Sequence, residues 1–209
     1  MISCVFLAAG MSKRFNQNKL LADLKEGTLI EYSLRQVQES DVSEIIVVPG
    51  WQAVLVERKL KNSEIINAES SDFPPITYVY APYYNFGQAH SLKAGLKKVN
   101  KKAKGVLFYL ADQPFVKVKT INDLIEHFRG SYSEAVYPVY NGKRGNPVIF
   151  DKSMFTELYK LSGDEGGRSL LTHAKTSFIE VDDSEVLFDI DNQEDHNMAI
   201  EKLWNNSTK

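Results

Sequence analysis

Short runs of β-branched and apolar residues alternate along this chain with stretches whose apolar positions recur at helical spacing. That rhythm is the strongest constraint on its fold. It opens as a strand over Ile2 to Ala8, a helix over Leu29 to Glu39, a strand over Glu44 to Pro49 and a helix over Ala53 to Lys61. It continues with extended runs at Glu64 to Asn67 and Ile76 to Tyr80, a helical segment from Gln88 to Val99, an apolar strand over Val106 to Ala111 and a helix over Thr120 to Phe128. Such alternation predicts an α/β domain whose mainly parallel sheet is covered by helices on both faces. Beyond residue 130 the order changes to Glu134 to Tyr140, Pro147 to Phe150, a helix over Asp151 to Leu161, a Gly-rich stretch, Phe178 to Asp182, Val186 to Ile190 and a last helix from Glu194. This second part predicts a mixed edge.

With 209 residues the chain is long enough for a sizeable core, and we expect one domain over 1–204 with a polar tail at 205–209. The 25 Lys and Arg residues against 27 Asp and Glu leave a net charge of −2, which argues against nucleic acid or an anionic membrane as a partner. A polyanion would have to be held by a local site. No run of 18 apolar residues is present, and Lys13 and Arg14 follow the first apolar segment without a signal-peptide cleavage region. Cys4 is the only cysteine, so neither a disulfide framework nor a cysteine metal knuckle is expected, in keeping with a cytoplasmic setting. Cys4 itself is expected to pack in the first strand.

The first strand runs into Ala8-Ala9-Gly10-Met11-Ser12-Lys13-Arg14-Phe15, with Lys19 shortly after. Small residues at the carboxyl end of a parallel strand let backbone N–H groups approach a ligand. Ser12, Lys13, Arg14 and Lys19 could surround a polyphosphate there, or form a solvated basic turn. The loop is neither a Walker A motif nor G-x-G-x-x-G. The strand over Val106 to Ala111 ends in Asp112-Gln113-Pro114. A carboxylate where a buried strand surfaces either stops the strand as a turn or holds a hard cation such as Mg²⁺. In Asp189-Ile190-Asp191-Asn192, alternation puts both carboxylates on one strand face, and Asn192 can cap the final helix. Tyr137 to Val148 reads as a hairpin. The loop over Ser162 to Leu170 joins three glycines to Arg168, a place for an anion or a mobile surface loop.

Leu7-Ala8-Ala9-Gly10-x-Ser12-x-Arg14-Phe15 followed by Lys19-Leu20-Leu21 resembles the signature loop of nucleotidyltransferases related to the molybdenum-cofactor guanylyl- and cytidylyltransferases. One departure is Asn16, where the family usually has Gly. The resemblance extends from residue 5 to about 199. It takes in Asp112 before x-Pro as the family's metal ligand, and Asp191 in a segment similar to Asp-Ile-Asp-Thr-Pro-Glu-Asp as a second one. It implies a Rossmann-like three-layer α/β/α fold of the nucleotide-diphospho-sugar transferase kind, with a mainly parallel mixed sheet. Arg14 and Lys19 would bind the triphosphate, which the backbone over Leu7, Ala8, Ala9, Gly10 and Ser12 would wrap. Gly87 and Ser91, in a segment resembling Gly-x-x-x-Ser-Leu, would lie beside base and ribose. Arg144 and Asn146, in a segment similar to Gly-x-x-Gly-His-Pro, and Arg168, in one like Gly-Asp-x-Gly-Gly-Arg, would face the second substrate.

The activity implied is Mg²⁺-dependent transfer of a nucleotidyl group from an NTP to the terminal phosphate of molybdopterin, with release of pyrophosphate. Cytidylyl-transferring members tend to have Leu-Ala-Ala-Gly, so Ala9 tilts the expected donor to CTP and the recipient of the product to an apo molybdenum hydroxylase. His90 is not needed as a base, because an attacking phosphate oxygen is already ionised. Two rivals share parts of the pattern: a sugar- or polyol-phosphate nucleotidyltransferase, and a non-catalytic maturation factor that binds and delivers the cofactor.

Overall fold

The structure, a computed structural model, describes residues 1–15, 17–66 and 73–206; Asn16 and Asn67 lie outside them. Its strands are β1 (Ile2–Ala8), β2 (Glu44–Pro49), β3 (Ile76–Tyr78), β4 (Gly105–Leu110), β5 (Ala135–Tyr140), β6 (Lys143–Arg144), β7 (Val148–Asp151) and β8 (Thr176–Glu180). The helices are α1 (Leu29–Gln38), α2 (Ala53–Lys61), α3 (Gln88–Leu96), α4 (Val118–Gly130), α5 (Phe155–Lys160) and α6 (Gln193–Asn206). The strand order is β3-β2-β1-β4-β7-β5-β6, with β8 paired to β5. Strands β3, β2, β1 and β4 are parallel, whereas β7 runs antiparallel to both β4 and β5. The mixed edge read from the second part of the chain is therefore present, and so is the parallel first half.

Alternation along the central strands divides the core into two layers. Ile2, Cys4, Phe6 and Ala8 of β1, with Ile45 and Val47 of β2 and Leu107 and Tyr109 of β4, face helices α1, α2, α4 and α6. Val5, Ile46, Val48, Val106 and Phe108 face the other way, against Ala89, Leu92 and Leu96 of α3 and Leu158 of α5. A strand buried on both sides has no polar face, which is why these runs read as nearly continuous apolar sequence. Helix α3 lies close on the sheet at Gly95, where a Cβ would come within 2.4 Å of Val5 Cγ1 and 2.9 Å of Val48 Cγ2. At the start of α1 the Glu31 carboxylate accepts from both the N–H and the hydroxyl of Thr28, each at 2.7 Å, and pairs with Lys59 at 3.1 Å. That carboxylate is held below its usual range: its burial, which would raise it, is outweighed by hydrogen bonds from Ser63, Thr28 and Lys59.

Two expected strands are not strands. Glu64 to Ile66 form a turn, because Arg35 and Gln38 side chains donate to the carbonyls of Ile65 and Ile66 and Ile66 plugs the core without a ladder. Val186 to Ile190 begins inside a 3-10 turn over Ser184–Leu187. Asp183 imposes that turn, accepting from the N–H groups of Glu185 and Lys117 and from the Thr120 hydroxyl, while Val186 and Ile190 still bury fully. Cys4 is buried as expected, and burial pushes its thiol well above the ordinary range. Among the described residues no helix is long and apolar enough to cross a membrane.

Candidate active site at the carboxyl ends of β1 and β4

From β1 the chain builds β2 and β3 on one side, then crosses back to place β4 on the other. The sheet order thus reverses between β1 and β4, and the crevice beyond their carboxyl ends is where open α/β sheets bind ligands. The loop after β1 is folded by its own polar side chains. Ser12 takes a left-handed conformation (φ 50°), its hydroxyl oxygen accepts from Lys19 N–H at 3.1 Å, and its carbonyl accepts from Phe15 N–H at 2.8 Å. Asn18 Oδ1 accepts from Leu20 N–H at 3.1 Å and starts a short 3-10 turn over Lys19–Leu21. Burial of Leu20 anchors that turn, so Lys19 is delivered from a fixed base.

The Lys19 ammonium, nearly buried, donates to Asp112 Oδ2 and to Asp191 Oδ1, each at 2.8 Å. Burial would lower its pKa, but the charges and hydrogen bonds of Asp112 and Asp191 override that and raise it. Arg14 is 3.8 Å from Asp191 with 77% of its side chain exposed, an ion pair that contributes little to stability. Asp191 is carried on an extended segment in which Ile190 N–H donates to the carbonyl of Asp112 at 3.0 Å. Its own N–H is held by Asp195 at 2.8 Å, and Asn192 Oδ1 accepts from Asp195 N–H at 3.0 Å, the capping role expected of it. Alternation along that segment sends Asp189 and Asp191 into the crevice while Ile190 goes to the core, although no strand forms. Asp189 accepts from Gln113 Nε2. Desolvation by the surrounding walls, then the charge of Asp112, push its carboxyl up to about 6, with Asp191 adding to this and Gln113 and Arg168 opposing it.

Two clefts meet here. The first, about 420 Å³, is walled by the β1 loop (Ala9, Gly10, Met11, Lys13), by Tyr84 to Gln88 and Ser91, and by Asp112 and Asp164. The second, about 330 Å³, has an apolar floor of Leu92, Phe108, Val148 and Phe150, with Asn146, Gly166, Gly167, Arg168 and Asp189 around it. Leu7, Gln88 and Leu110 line both. The expected residues thus separate. Ala9, Gly10, Gly87 and Ser91 line the first cleft, Asn146 and Arg168 the second, and Leu7 both. Ala8 is packed in the core, and the Ser12 hydroxyl faces Lys19 N–H. Arg144 is exposed on β6 with its guanidinium 5.0 Å over the Tyr137 ring. His90 lies among the rings of Tyr83 and Phe86. Gly87 has φ 113°, and a Cβ there would fall 2.1 Å from the Gly163 backbone, so the loops bordering the two clefts touch. Sequence reasoning assigned no role to Gln88, Gln113 or Asp164. Gln88 sits next to a glycine already singled out, but nothing in the sequence says that Gly166 lies across from it.

Among the described residues no three His, Cys, Asp or Glu side chains converge as a self-sufficient metal site. Asp112 and Asp191 nevertheless fit a hard divalent cation. Each carboxylate gives one oxygen to the Lys19 ammonium and keeps its second oxygen as a hard ligand. Mg²⁺ keeps several waters and takes substrate phosphates as ligands, so one or two protein carboxylates suffice.

A family profile described as "MobA-like NTP transferase domain" matches residues 4–178. The chain is 28% identical to the purine catabolism protein PucB of Bacillus subtilis (strain 168), over 93% of this chain and 94% of that protein. It is 24% identical to the molybdenum cofactor cytidylyltransferase of Escherichia coli (strain K12), over 96% of each. Among solved structures it is similar to Rv0371c from Mycobacterium tuberculosis H37Rv, with a TM-score of 0.79, 26% identity, and 96% of this chain and 98% of that one covered. A structure of that mycobacterial protein in complex with manganese superposes with a TM-score of 0.75 at 24% identity, over 96% of this chain and 98% of that one.

Proposed function

We propose, because the chain belongs to the family of MobA-like NTP transferase domains, that it transfers CMP from CTP to the terminal phosphate of molybdopterin and releases pyrophosphate. The observation that carries this reading is the Lys19 ammonium held between Asp191 and Asp112, the latter a wall of the first cleft. In the reaction an oxygen of the acceptor phosphate forms a bond to the α-phosphorus of the nucleotide. The bond from that phosphorus to the bridging oxygen of the β-phosphate breaks, and the electron pair leaves with pyrophosphate. No proton has to be removed from the nucleophile, and no covalent enzyme intermediate is formed.

The backbone over Ala9 and Gly10 and the side chains of Lys13 and Arg14 bind the triphosphate in the first cleft. Lys19 uses two of its three N–H donors on the carboxylates and keeps the third for a phosphate oxygen. Asp112 and Asp191 would hold Mg²⁺, which would offset charge on the phosphates. Gly87 and Ser91 bound the place of base and ribose. In the second cleft Asn146 and Arg168 bind the acceptor, and the apolar floor of Leu92, Phe108, Val148 and Phe150 suits a flat ring better than a polyol. That floor favours the pterin reading over a sugar- or polyol-phosphate acceptor. A relative named molybdenum cofactor cytidylyltransferase supports it as well. The product would pass to an apo molybdenum hydroxylase in the cytoplasm.

The experiment is a matrix of CTP, GTP, ATP and UTP against molybdopterin and a set of sugar and polyol phosphates, with Mg²⁺, followed by pyrophosphate release. The reading expects release with CTP and molybdopterin. Release with a sugar or polyol phosphate alone would replace the acceptor and keep the reaction class; molybdopterin binding without release under any combination would leave the maturation factor.

A further inference from the structure

Gln88 is the single polar side chain that lines both clefts; the other two residues they share are Leu7 and Leu110. It is the first residue of α3, directly after Gly87, and Ala89 N–H donates to the Gly163 carbonyl at 3.1 Å. These contacts clamp the start of the helix to the 162–168 loop, which sends Asp164 into the first cleft and Arg168 into the second. The carboxamide occupies space that Gly166 leaves open: a Cβ on Gly166 would lie 2.5 Å from Gln88 Oε1. The Gln88 side chain is exposed to the crevice and makes no hydrogen bond to the described residues. A neutral amide with two donors and one acceptor is thus aimed, unused, at the boundary between the two clefts.

We infer that Gln88 is a further catalytic residue, one that donates a hydrogen bond to the acceptor's phosphate as it attacks; this rests on the nucleotidyl-transfer reading above. When one cleft holds the triphosphate and the other the acceptor, the attacking oxygen and the α-phosphorus meet at their boundary, where the Gln88 amide is. A neutral donor suits that place. It orients an anionic nucleophile without the strong attraction of a Lys or Arg, which would hold the phosphate in its ground state. Glycine at position 166 keeps the amide free to reach it.

The test compares Gln88→Ala, Gln88→Glu and Gly166→Ala with wild type, using Mg²⁺, CTP and molybdopterin. Pyrophosphate release is measured with the acceptor varied, and CTP binding by calorimetry. Gln88 is exposed and Gly166→Ala meets the end of a flexible side chain, so all three variants are expected to fold. Gln88→Ala should lower kcat by ~10- to 100-fold, the effect of removing a donor to a charged group in a preorganised site. Its affinity for CTP should stay within about twofold, because the lost bond goes to the other substrate. Gln88→Glu should lose more than Gln88→Ala, since it places a like charge beside phosphates. Gly166→Ala should lose activity in the same direction as Gln88→Ala by displacing the amide. An active wild type with Gln88→Ala at near-normal kcat would overturn the role of Gln88 and leave the reaction standing. A wild type that binds CTP yet releases no pyrophosphate with any acceptor overturns the transfer reading and this role with it.

Discussion

Asp112 and Asp191 share one ammonium, and this sets what single substitutions should do. Asp112→Asn keeps an oxygen for Lys19 Nζ but removes the charge proposed to hold Mg²⁺, so the fold should survive while turnover falls by at least ~100-fold. Thermal melting beside a Mg²⁺-dependent pyrophosphate assay separates the two effects, and near-normal turnover would remove Asp112 from the site. Ala9 lines the first cleft beside Gly10 and Tyr84, while its methyl group packs against Gly50. Ala9→Gly should reduce a preference for CTP over GTP that one methyl group makes worth ~10- to 200-fold in kcat/KM. Competition between the two nucleotides at equal concentration reads this directly, and a wild-type preference for GTP would overturn the choice of CTP. Asp112 could be read from sequence because a charge ends an apolar strand. Gln88 could not, because its significance depends on Gly166, 78 positions away in the chain and opposite it in space.

At the scale of elements, α1 and α3 carry separate tests. The folded-state pKa of Glu31 lies below its unfolded value of 4.5, so the stability it contributes is present above about pH 4.5 and is lost as pH falls through the folded value. In urea titrations between about pH 7 and pH 3, Glu31→Gln should be less stable than wild type at neutral pH, by about 1 to 2 kcal/mol, with the gap closing in acid. A constant gap would mean that the charge of Glu31 is not what holds the helix start. Gly95→Ala gains about 1 kcal/mol of helix propensity but forces Val5 and Val48 aside in a filled layer. The overlap should win and lower Tm; a rise in Tm would show that α3 has room to lift from the sheet. Helices and central strands were legible because their periodicity matches their burial. The segments at Glu64 to Ile66 and Val186 to Ile190 were not: Ile66, Val186 and Ile190 do bury, but Arg35 and Gln38 side chains take the carbonyls of the first, and the second meets only scattered backbone partners, Asn146 N–H and the Asp112 carbonyl, after the turn that Asp183 caps.

For the whole molecule, the reversal of strand order between β1 and β4 gathers residues from positions 7 to 191 around one crevice. The β1 loop supplies backbone and cations, β4 supplies Asp112, and the segment before α6 supplies Asp189 and Asp191. The second cleft comes from the antiparallel part of the sheet, which a reading of alternating strands and helices could anticipate only as a mixed edge. A metal held by only two carboxylates and completed by the nucleotide should leave the nucleotide-free protein insensitive to chelation. EDTA alone should not change Tm, whereas CTP should raise it only when Mg²⁺ is present. The most direct test of nucleotidyl transfer at this site is pyrophosphate release by wild type and Asp112→Asn on mixing with Mg²⁺, CTP and molybdopterin. Release by wild type, with one pyrophosphate for each molybdopterin cytosine dinucleotide formed and loss of at least ~100-fold in the variant, is the predicted result; release that is equal in the two proteins, or absent from wild type with every nucleotide and acceptor tried, would contradict it.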